Sequence, residues 1–132
     1  MLQILVIESK KALAKAMEEE AKSRHFETHT ETCIEGGIKA FTGTKKFDAI
    51  SISNPIAEHY FGIQIPDASI RFIDYLIEHD YKGLVIHYTS RNVYRGTHIH
   101  FPFILTEIIK EDKHGNDENL VGRWGYACSE II

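Results

Sequence analysis

The chain has 132 residues, a formal net charge of −4 and 43% hydrophobic residues, values typical of one soluble globular domain spanning residues 1–132. The acidic balance argues against non-specific binding to nucleic acid or acidic membranes, and no apolar run approaches the roughly 18 residues of a membrane span. With only Cys33 and Cys128, and an N-terminus that makes a poor signal peptide, we expect a reduced, cytoplasmic protein without a disulfide framework.

The first half of the chain alternates short apolar runs with segments of helical periodicity. Residues 2–7 form an apolar run that predicts a strand buried on both faces, as in a parallel sheet. Residues 10–24 are rich in Ala, Lys and Glu and carry one apolar stripe, which predicts a helix. Residues 26–33 are expected to form an edge strand and residues 34–44 a short helix. Residues 48–53 predict the third strand.

The second half continues the alternation. Its predicted elements are, in chain order, a long loop (54–66), a helix (67–82), a strand (84–89), a short helix (91–97), a strand (99–106), a polar loop (110–119) and a final helix (120–132). Pro102 lies inside the predicted fifth strand, which indicates an edge position or a bulge. Strands that alternate with helices imply a parallel sheet with helices on both faces. We therefore predict a three-layer, flavodoxin-like α/β fold with five parallel strands in the order 2-1-3-4-5.

In a sheet of this kind, ligands bind at the carboxyl ends of the strands, near the point where the strand order reverses. The residues expected around that opening, which we call the mouth of the sheet, are Glu8, Ser9, Ser53, Asn54, Thr89, Ser90 and Thr106. The segment after the first strand reads IESKK and contains no glycine, which argues against a nucleotide- or flavin-binding enzyme of this fold.

Three segments at these strand ends, ILVIES, FDAISISNP and VIHYTS, resemble the receiver domains of two-component signalling. Receivers place two acidic residues after the first strand, and the resemblance puts Glu8 and Ser9 at those positions. The phosphoacceptor aspartate, which ends the third strand, corresponds to Ser53. The hydroxyl at the end of the fourth strand is present as Thr89.

Two further receiver positions fall on the predicted fifth strand. The lysine at its end corresponds to Thr106, so the resemblance implies that this lysine is absent, and Phe103 fills the aromatic position three residues earlier. Glu8 alone makes a poor Mg²⁺ site, and formation of an aspartyl phosphate requires a carboxylate nucleophile that Ser53 lacks. The resemblance therefore implies a degenerate receiver that is not phosphorylated, has no cofactor and no enzymatic activity, and acts in regulation through protein–protein interaction.

The alternative function is a small anion- or metal-binding protein, or an enzyme, that uses the same strand ends. Arg91 and Arg95 lie one helical turn apart and could clamp an anion, although such pairs more often form a solvated helix face. His98 and His100 face one side of the predicted fifth strand and His87 lies on its neighbour, so three imidazoles could form a zinc site. No HExxH or CxxC motif supports that site, and hydrogen-bonded surface histidines are the more common outcome.

The expected partner surface is the receiver face formed by the fourth helix, the fifth strand and the last helix. The residues predicted to contact a protein partner, or a second copy in a homodimer, are Tyr94, Arg95, Phe101, Phe103 and Trp124. Aromatic residues and Arg are favoured as interface anchors, while an ordinary core is the competing explanation for Phe103 and Trp124. The aromatic cluster in the loop after the third strand, at residues 59–61, is the next candidate if it is exposed, and burial by a loop that folds back is the equally weighted alternative.

Overall fold

The computed structural model describes residues 1–90, 93–94, 100–110 and 117–131. In chain order its elements are β1 (Gln3–Ile7), α1 (Lys11–Ser23), β2 (Glu27–Glu31), α2 (Ile34–Phe41), β3 (Ala49–Asn54), β4 (Ile56–Ala57), β5 (Gln64–Ile65), α3 (Ser69–Glu78), β6 (Leu84–Thr89), β7 (Ile104–Ile109), α4 (Asp117–Cys128) and a final 3₁₀ turn (Ser129–Ile131). None of the helices in these ranges is long and apolar enough to cross a membrane.

Five strands form one sheet in the order β2-β1-β3-β6-β7, and every neighbouring pair is parallel. Counted along the chain, the main strands therefore follow the order 2-1-3-4-5, and the prediction of a flavodoxin-like fold is confirmed. β2 lies at one edge, as its alternating polar residues predicted. The strand order reverses between β1 and β3, which places the mouth of the sheet at the ends of these two strands.

Helices cover both faces of the sheet, because successive strand residues point to opposite sides. Ile4 and Val6 of β1 pack with α1 and α4 in one core, which also contains Trp124. Leu5 and Ile7 of the same strand pack with α2 and α3 in a second core. The run of apolar residues in β1 is therefore explained by burial on both faces.

The fifth main strand differs from its prediction. It was expected over residues 99–106, but β7 spans Ile104–Ile109. Proline has no N–H to donate to a neighbouring strand, so Pro102 stays outside the ladder, and the Ile104 N–H makes the first contact with the Gly83 carbonyl at 3.2 Å. The end of the strand consequently shifts from Thr106 to Ile109, and Thr106 pairs with Ile86 in the interior of the strand.

The long loop after β3 has structure of its own. β4 and β5 pair as a small antiparallel hairpin, with Ile56 opposite Ile65 and Ala57 opposite Gln64. A bridge between Cys33 and Ala57 ties the hairpin to the end of β2. The hairpin therefore explains why this connection exceeds the usual length of a βα loop.

Candidate functional site at the mouth of the sheet

Four of the side chains predicted at the mouth do meet there. Glu8 follows β1, Ser53 and Asn54 end β3, and Thr89 ends β6 directly opposite Asn54. All four are buried, with 1% or less of each residue exposed. The mouth is thus filled by protein side chains, as parallel strand ends at one edge of a sheet permit.

Glu8 is engaged by hydrogen bonds within the chain. The Ser53 hydroxyl donates to Glu8 Oε1 at 2.6 Å, and the Lys10 backbone N–H donates to Glu8 Oε2 at 3.0 Å. Ser9 is also engaged, because its hydroxyl donates to the Thr32 carbonyl and accepts the Ala57 N–H. Glu8 and Ser9, which the resemblance matches to the acidic pair of a receiver, are therefore both hydrogen-bonded to other residues of the chain.

Asn54 directs its amide into the same site. Its Nδ2 donates to Thr89 Oγ1 and to Asp67 Oδ1, each at 3.1 Å. Its Oδ1 is buried and has no hydrogen-bond partner among the described residues. The strand thus ends in an uncharged amide beside the Ser53 hydroxyl.

Lys110 reaches the mouth from the end of β7, a position that sequence analysis missed. Its backbone N–H donates to the Thr89 carbonyl at 2.8 Å, and its ammonium donates to the Asn54 carbonyl at 3.4 Å. The ammonium also lies 4.8 Å from the centre of the Tyr88 ring, within cation–π range. The prediction that Thr106 ends this strand, and that no lysine stands there, is therefore wrong.

The residue three positions before the lysine at the end of β7 is Glu107, and not the predicted aromatic Phe103. Phe103 precedes β7. Glu107 Oε2 lies 2.8 Å from His87 Nδ1, and His87 Nε2 lies 2.7 Å from the Ser69 hydroxyl. A buried chain of polar groups thus links α3, β6 and β7 beneath the mouth.

Glu107 also holds the segment that follows β6. Its carboxylate accepts the backbone N–H of Tyr94 at 3.0 Å and that of Val93 at 3.3 Å. Burial by itself raises the pKa of Glu107, but the hydrogen bonds from His87 and from these two N–H groups outweigh burial and hold the pKa below its usual range. Glu107 is therefore ionised at neutral pH and anchors this segment.

The Ser69–His87–Glu107 arrangement has the order of groups found in serine hydrolases. Ser69 and His87 are both completely buried, so no substrate can reach the hydroxyl in this conformation. Because both ring nitrogens of His87 are engaged, this residue is also not available as a metal ligand, contrary to the zinc hypothesis. These three residues therefore form a structural connection.

The structure gives little support to the other residues predicted to bind a metal or an anion. His100 is exposed, and His98, Arg91 and Arg95 lie outside the described residues. Within the described ranges, no group of three or more His, Cys, Asp or Glu side chains could hold a metal ion.

Two residues predicted for the partner surface belong to the core. Trp124 is fully buried and donates its indole N–H to Ser51 Oγ at 2.8 Å, while Phe103 is 6% exposed and stacks on Phe101. Tyr94 and Phe101 are half-buried and pack edge to face. The apolar side chains of Phe103 and Trp124 thus stabilise the interior, which corrects their assignment to a surface.

Comparison with known proteins gives matches at the level of structure. No family model and no curated protein matches the sequence. The response regulator TrrA of Thermotoga maritima, solved with Mg²⁺-BeF, matches with a TM-score of 0.69 and 14% identity, with 100% of both chains covered. A CheY-like receiver domain from Methylobacillus flagellatus matches with a TM-score of 0.66 and 13% identity over 100% of this chain and 99% of that one.

TrrA in its complex with the histidine kinase ThkA also matches, with a TM-score of 0.63 and 16% identity over 93% of this chain and 97% of that one. These likenesses show that the chain has the receiver fold.

Proposed function

We propose that this chain is a receiver-like domain that is not phosphorylated on aspartate and that acts in signalling through contacts with other proteins. The observation that carries the proposal is the hydrogen bond from Ser53 to Glu8 at the end of β3. Ser53, which the resemblance matches to the acceptor, supplies a hydroxyl in place of a carboxylate, and the remaining acidic residue binds that hydroxyl. Two features of a receiver site, the Thr89 hydroxyl and the Lys110 ammonium, are kept while the carboxylate nucleophile is missing.

The chemistry of phosphoryl transfer explains why this combination is inactive. A receiver needs a carboxylate nucleophile beside Mg²⁺, and Mg²⁺ requires octahedral oxygen coordination with at least one available carboxylate. Both oxygens of Glu8 already accept hydrogen bonds, and Glu8 is 1% exposed. A metal would have to share these oxygens with the hydrogen bonds at a buried site, without the gain of a second acid at Ser9.

Protein contacts are the proposed output. The structural neighbour TrrA has been solved in complex with a histidine kinase, which supports a protein partner for this fold. Ile104 of β7 and Tyr126 of α4 are exposed, and Tyr94 and Phe101, which precede β7 in the chain, are half-buried. We place the partner surface on these four residues, with Arg95 retained as a neighbour in sequence.

The proposed lack of phosphorylation is tested by treating the protein with acetyl phosphate and Mg²⁺ and measuring its intact mass. We expect no added phosphoryl group on the wild-type chain, while a phosphorylatable receiver in the same tube gains one. Two variants restore both acids, Ser9→Asp with Ser53→Asp and Ser9→Asp with Asn54→Asp. A phosphoryl group on either variant would identify the strand position equivalent to the acceptor. A phosphoryl group on the wild type that is lost on Ser53→Ala would overturn the proposal.

A further inference from the structure

The tip of the β4–β5 hairpin, residues 60–63, is the most apolar exposed segment in the described part of the chain. Phe61 is completely exposed and Ile63 is 82% exposed, with Tyr60 and Ile65 partly exposed beside them. Four of the seven large hydrophobic side chains that are exposed among the described residues thus lie within six positions. A concentrated apolar patch of this kind marks a site of protein contact more often than scattered single residues do.

Phe61 also has a backbone conformation that favours glycine. Its φ is 60°, in the left-handed region that a bulky side chain rarely adopts, although Gly62 follows immediately. The turn is closed by the Gly62 N–H, which donates to the His59 carbonyl at 3.0 Å. This hydrogen bond compensates for the φ of Phe61, but the fully exposed ring buries no apolar surface within this chain, which points to a contact outside it.

The base of the hairpin is held firmly to α2 and α3. Glu58 pairs with Arg71 of α3, and its carbonyl accepts the Glu35 N–H at 2.9 Å. The Lys39 ammonium lies 5.3 Å from the centre of the Tyr60 ring. Gly36 leaves room for this approach, because a Cβ there would lie only 2.9 Å from the Tyr60 hydroxyl. The tip is therefore presented in a fixed orientation, which lowers the entropy lost on binding.

A groove lies next to the hairpin, between α2 and α3. Its volume is about 530 Å³, and its apolar lining includes Ile34, Ile38 and Tyr75. Glu58 and His59, which lead into the hairpin tip, form one end of the groove. An apolar projection and an apolar recess thus lie side by side on one surface of the molecule.

The charges around this groove do not oppose entry of the hairpin tip. Of the acids that line it, Glu35 pairs with Lys39 at 3.5 Å and Glu58 pairs with Arg71, and Asp74 and Glu78 lie on the α3 side. The segment over residues 60–66 reads YFGIQIP and carries no charged side chain. Because the tip is uncharged, it enters the groove without like-charge repulsion from any of the lining acids.

We propose that two copies of this chain form a two-fold dimer in which the hairpin tip of each copy occupies the α2–α3 groove of the other. A two-fold axis makes such a contact self-complementary, because one surface carries both the projection and the recess. Two contacts that each bury one Phe and one Ile amount to roughly 1,000 Å² in all, near the lower limit for a specific interface. The dimer is consequently weak, and it uses a surface other than the β7–α4 side.

Sedimentation velocity over about 1 μM to 1 mM protein measures this association. We expect the wild type to move from monomer to dimer across the range, and Phe61→Ser to remain monomeric throughout. Tyr126→Ser is the matched control, because Tyr126 is an aromatic residue with 69% exposure on α4. We expect this variant to dimerise like the wild type. A wild type that stays monomeric, dimerisation that survives Phe61→Ser, or loss of the dimer in Tyr126→Ser would each overturn the proposal.

Cysteine cross-linking tests which surfaces meet. The natural residues Cys33 and Cys128 are both buried, so introduced thiols dominate the reaction. Under mild oxidation, an equimolar mixture of Ile63→Cys and Ile38→Cys chains, which keep Phe61, is expected to give a disulfide-linked heterodimer, and Ile63→Cys alone is expected to give little product. Efficient cross-linking of Ile63→Cys alone would indicate a tip-to-tip contact and contradict the proposed arrangement. A variant in the groove itself tests the same contact by sedimentation. Asp74 is exposed and lines the groove, so the indole of Asp74→Trp is expected to fill the groove and abolish the dimer without removing core packing.

Discussion

At the scale of single residues, His87 and His29 show how burial changes the contribution of a His–Glu contact to the stability of the protein. His29 lies 2.6 Å from Glu31, and its side chain is 40% exposed. His87 lies 2.8 Å from Glu107, but its side chain is completely buried and its other ring nitrogen contacts Ser69. Water can replace the partner of His29, whereas removal of His87 leaves the buried Ser69 hydroxyl without this partner and removes one of the hydrogen bonds of Glu107.

We predict that His87→Ala lowers the free energy of unfolding by about 2–4 kcal/mol, through lost packing and the unpaired Ser69 hydroxyl. His29→Ala is the matched control and is expected to change it by less than about 1 kcal/mol, as for other exposed pairs. Urea unfolding followed by circular dichroism measures both values. Equal effects of the two substitutions would mean that the buried connection does not contribute to stability in this way.

Two glycines show at the scale of elements why residues with the same helical preference are not equivalent. Gly37 lies in α2, where a Cβ would come within 3.0 Å of Ile7 Cγ1 in the centre of the core. Gly122 lies in the interior of α4, where a Cβ would meet no atom within 4 Å. The close packing of α2 on β1 thus depends on glycine, and the packing of α4 at Gly122 does not.

We predict that Gly122→Ala stabilises the protein by about 0.5–1 kcal/mol, because alanine has the higher helix propensity and the site has space. Gly37→Ala gains the same propensity, but overpacking against Ile7 is expected to exceed it and to destabilise by about 1–3 kcal/mol. The midpoint of thermal unfolding distinguishes the two directions. Stabilisation by both substitutions would contradict the packing of α2 described above.

Stability toward acid is a property of the whole molecule that depends on how β7 joins the sheet. Glu107 ties this edge strand to His87 and to the segment around Tyr94. Its pKa is lower in the folded protein than in the unfolded chain, because hydrogen bonds outweigh the effect of burial. A lowered folded-state pKa means stabilisation that is present above the unfolded-state pKa and is lost as pH falls through the folded-state value.

We therefore predict that Glu107→Gln is less stable than the wild type at neutral pH, and that the difference shrinks as the pH falls below the ordinary glutamate pKa of 4.5 and through the lower folded-state pKa of Glu107. Once the wild-type carboxyl is protonated, it resembles the amide. Urea unfolding at a series of pH values gives the two curves. A difference that stays constant across the series would show that ionised Glu107 does not supply this stability.

The sequence by itself determined the framework of the molecule. The apolar runs at residues 2–7, 48–53 and 84–89 placed three strands within a residue or two of their observed positions, because a strand buried on both faces needs a continuous apolar run. The alternation with helices then predicted the parallel order, since each crossover must be right-handed. The positions of Glu8 and Ser53 at the mouth followed directly, because the ends of β1 and β3 were placed correctly.

Only the tertiary structure decided what depends on contacts between distant segments. The largely apolar segment 99–109 permits several strand registers, and pairing with β6 selected the one that excludes Pro102 and brings Lys110 to the mouth. The contact between His87 and Glu107, 20 positions apart, has no local pattern that could predict it. Likewise, Trp124 could be assigned to surface or core only once α4 had packed on the sheet. Periodicity records which faces are buried, whereas register and side-chain partners are set by the packing of whole elements against one another.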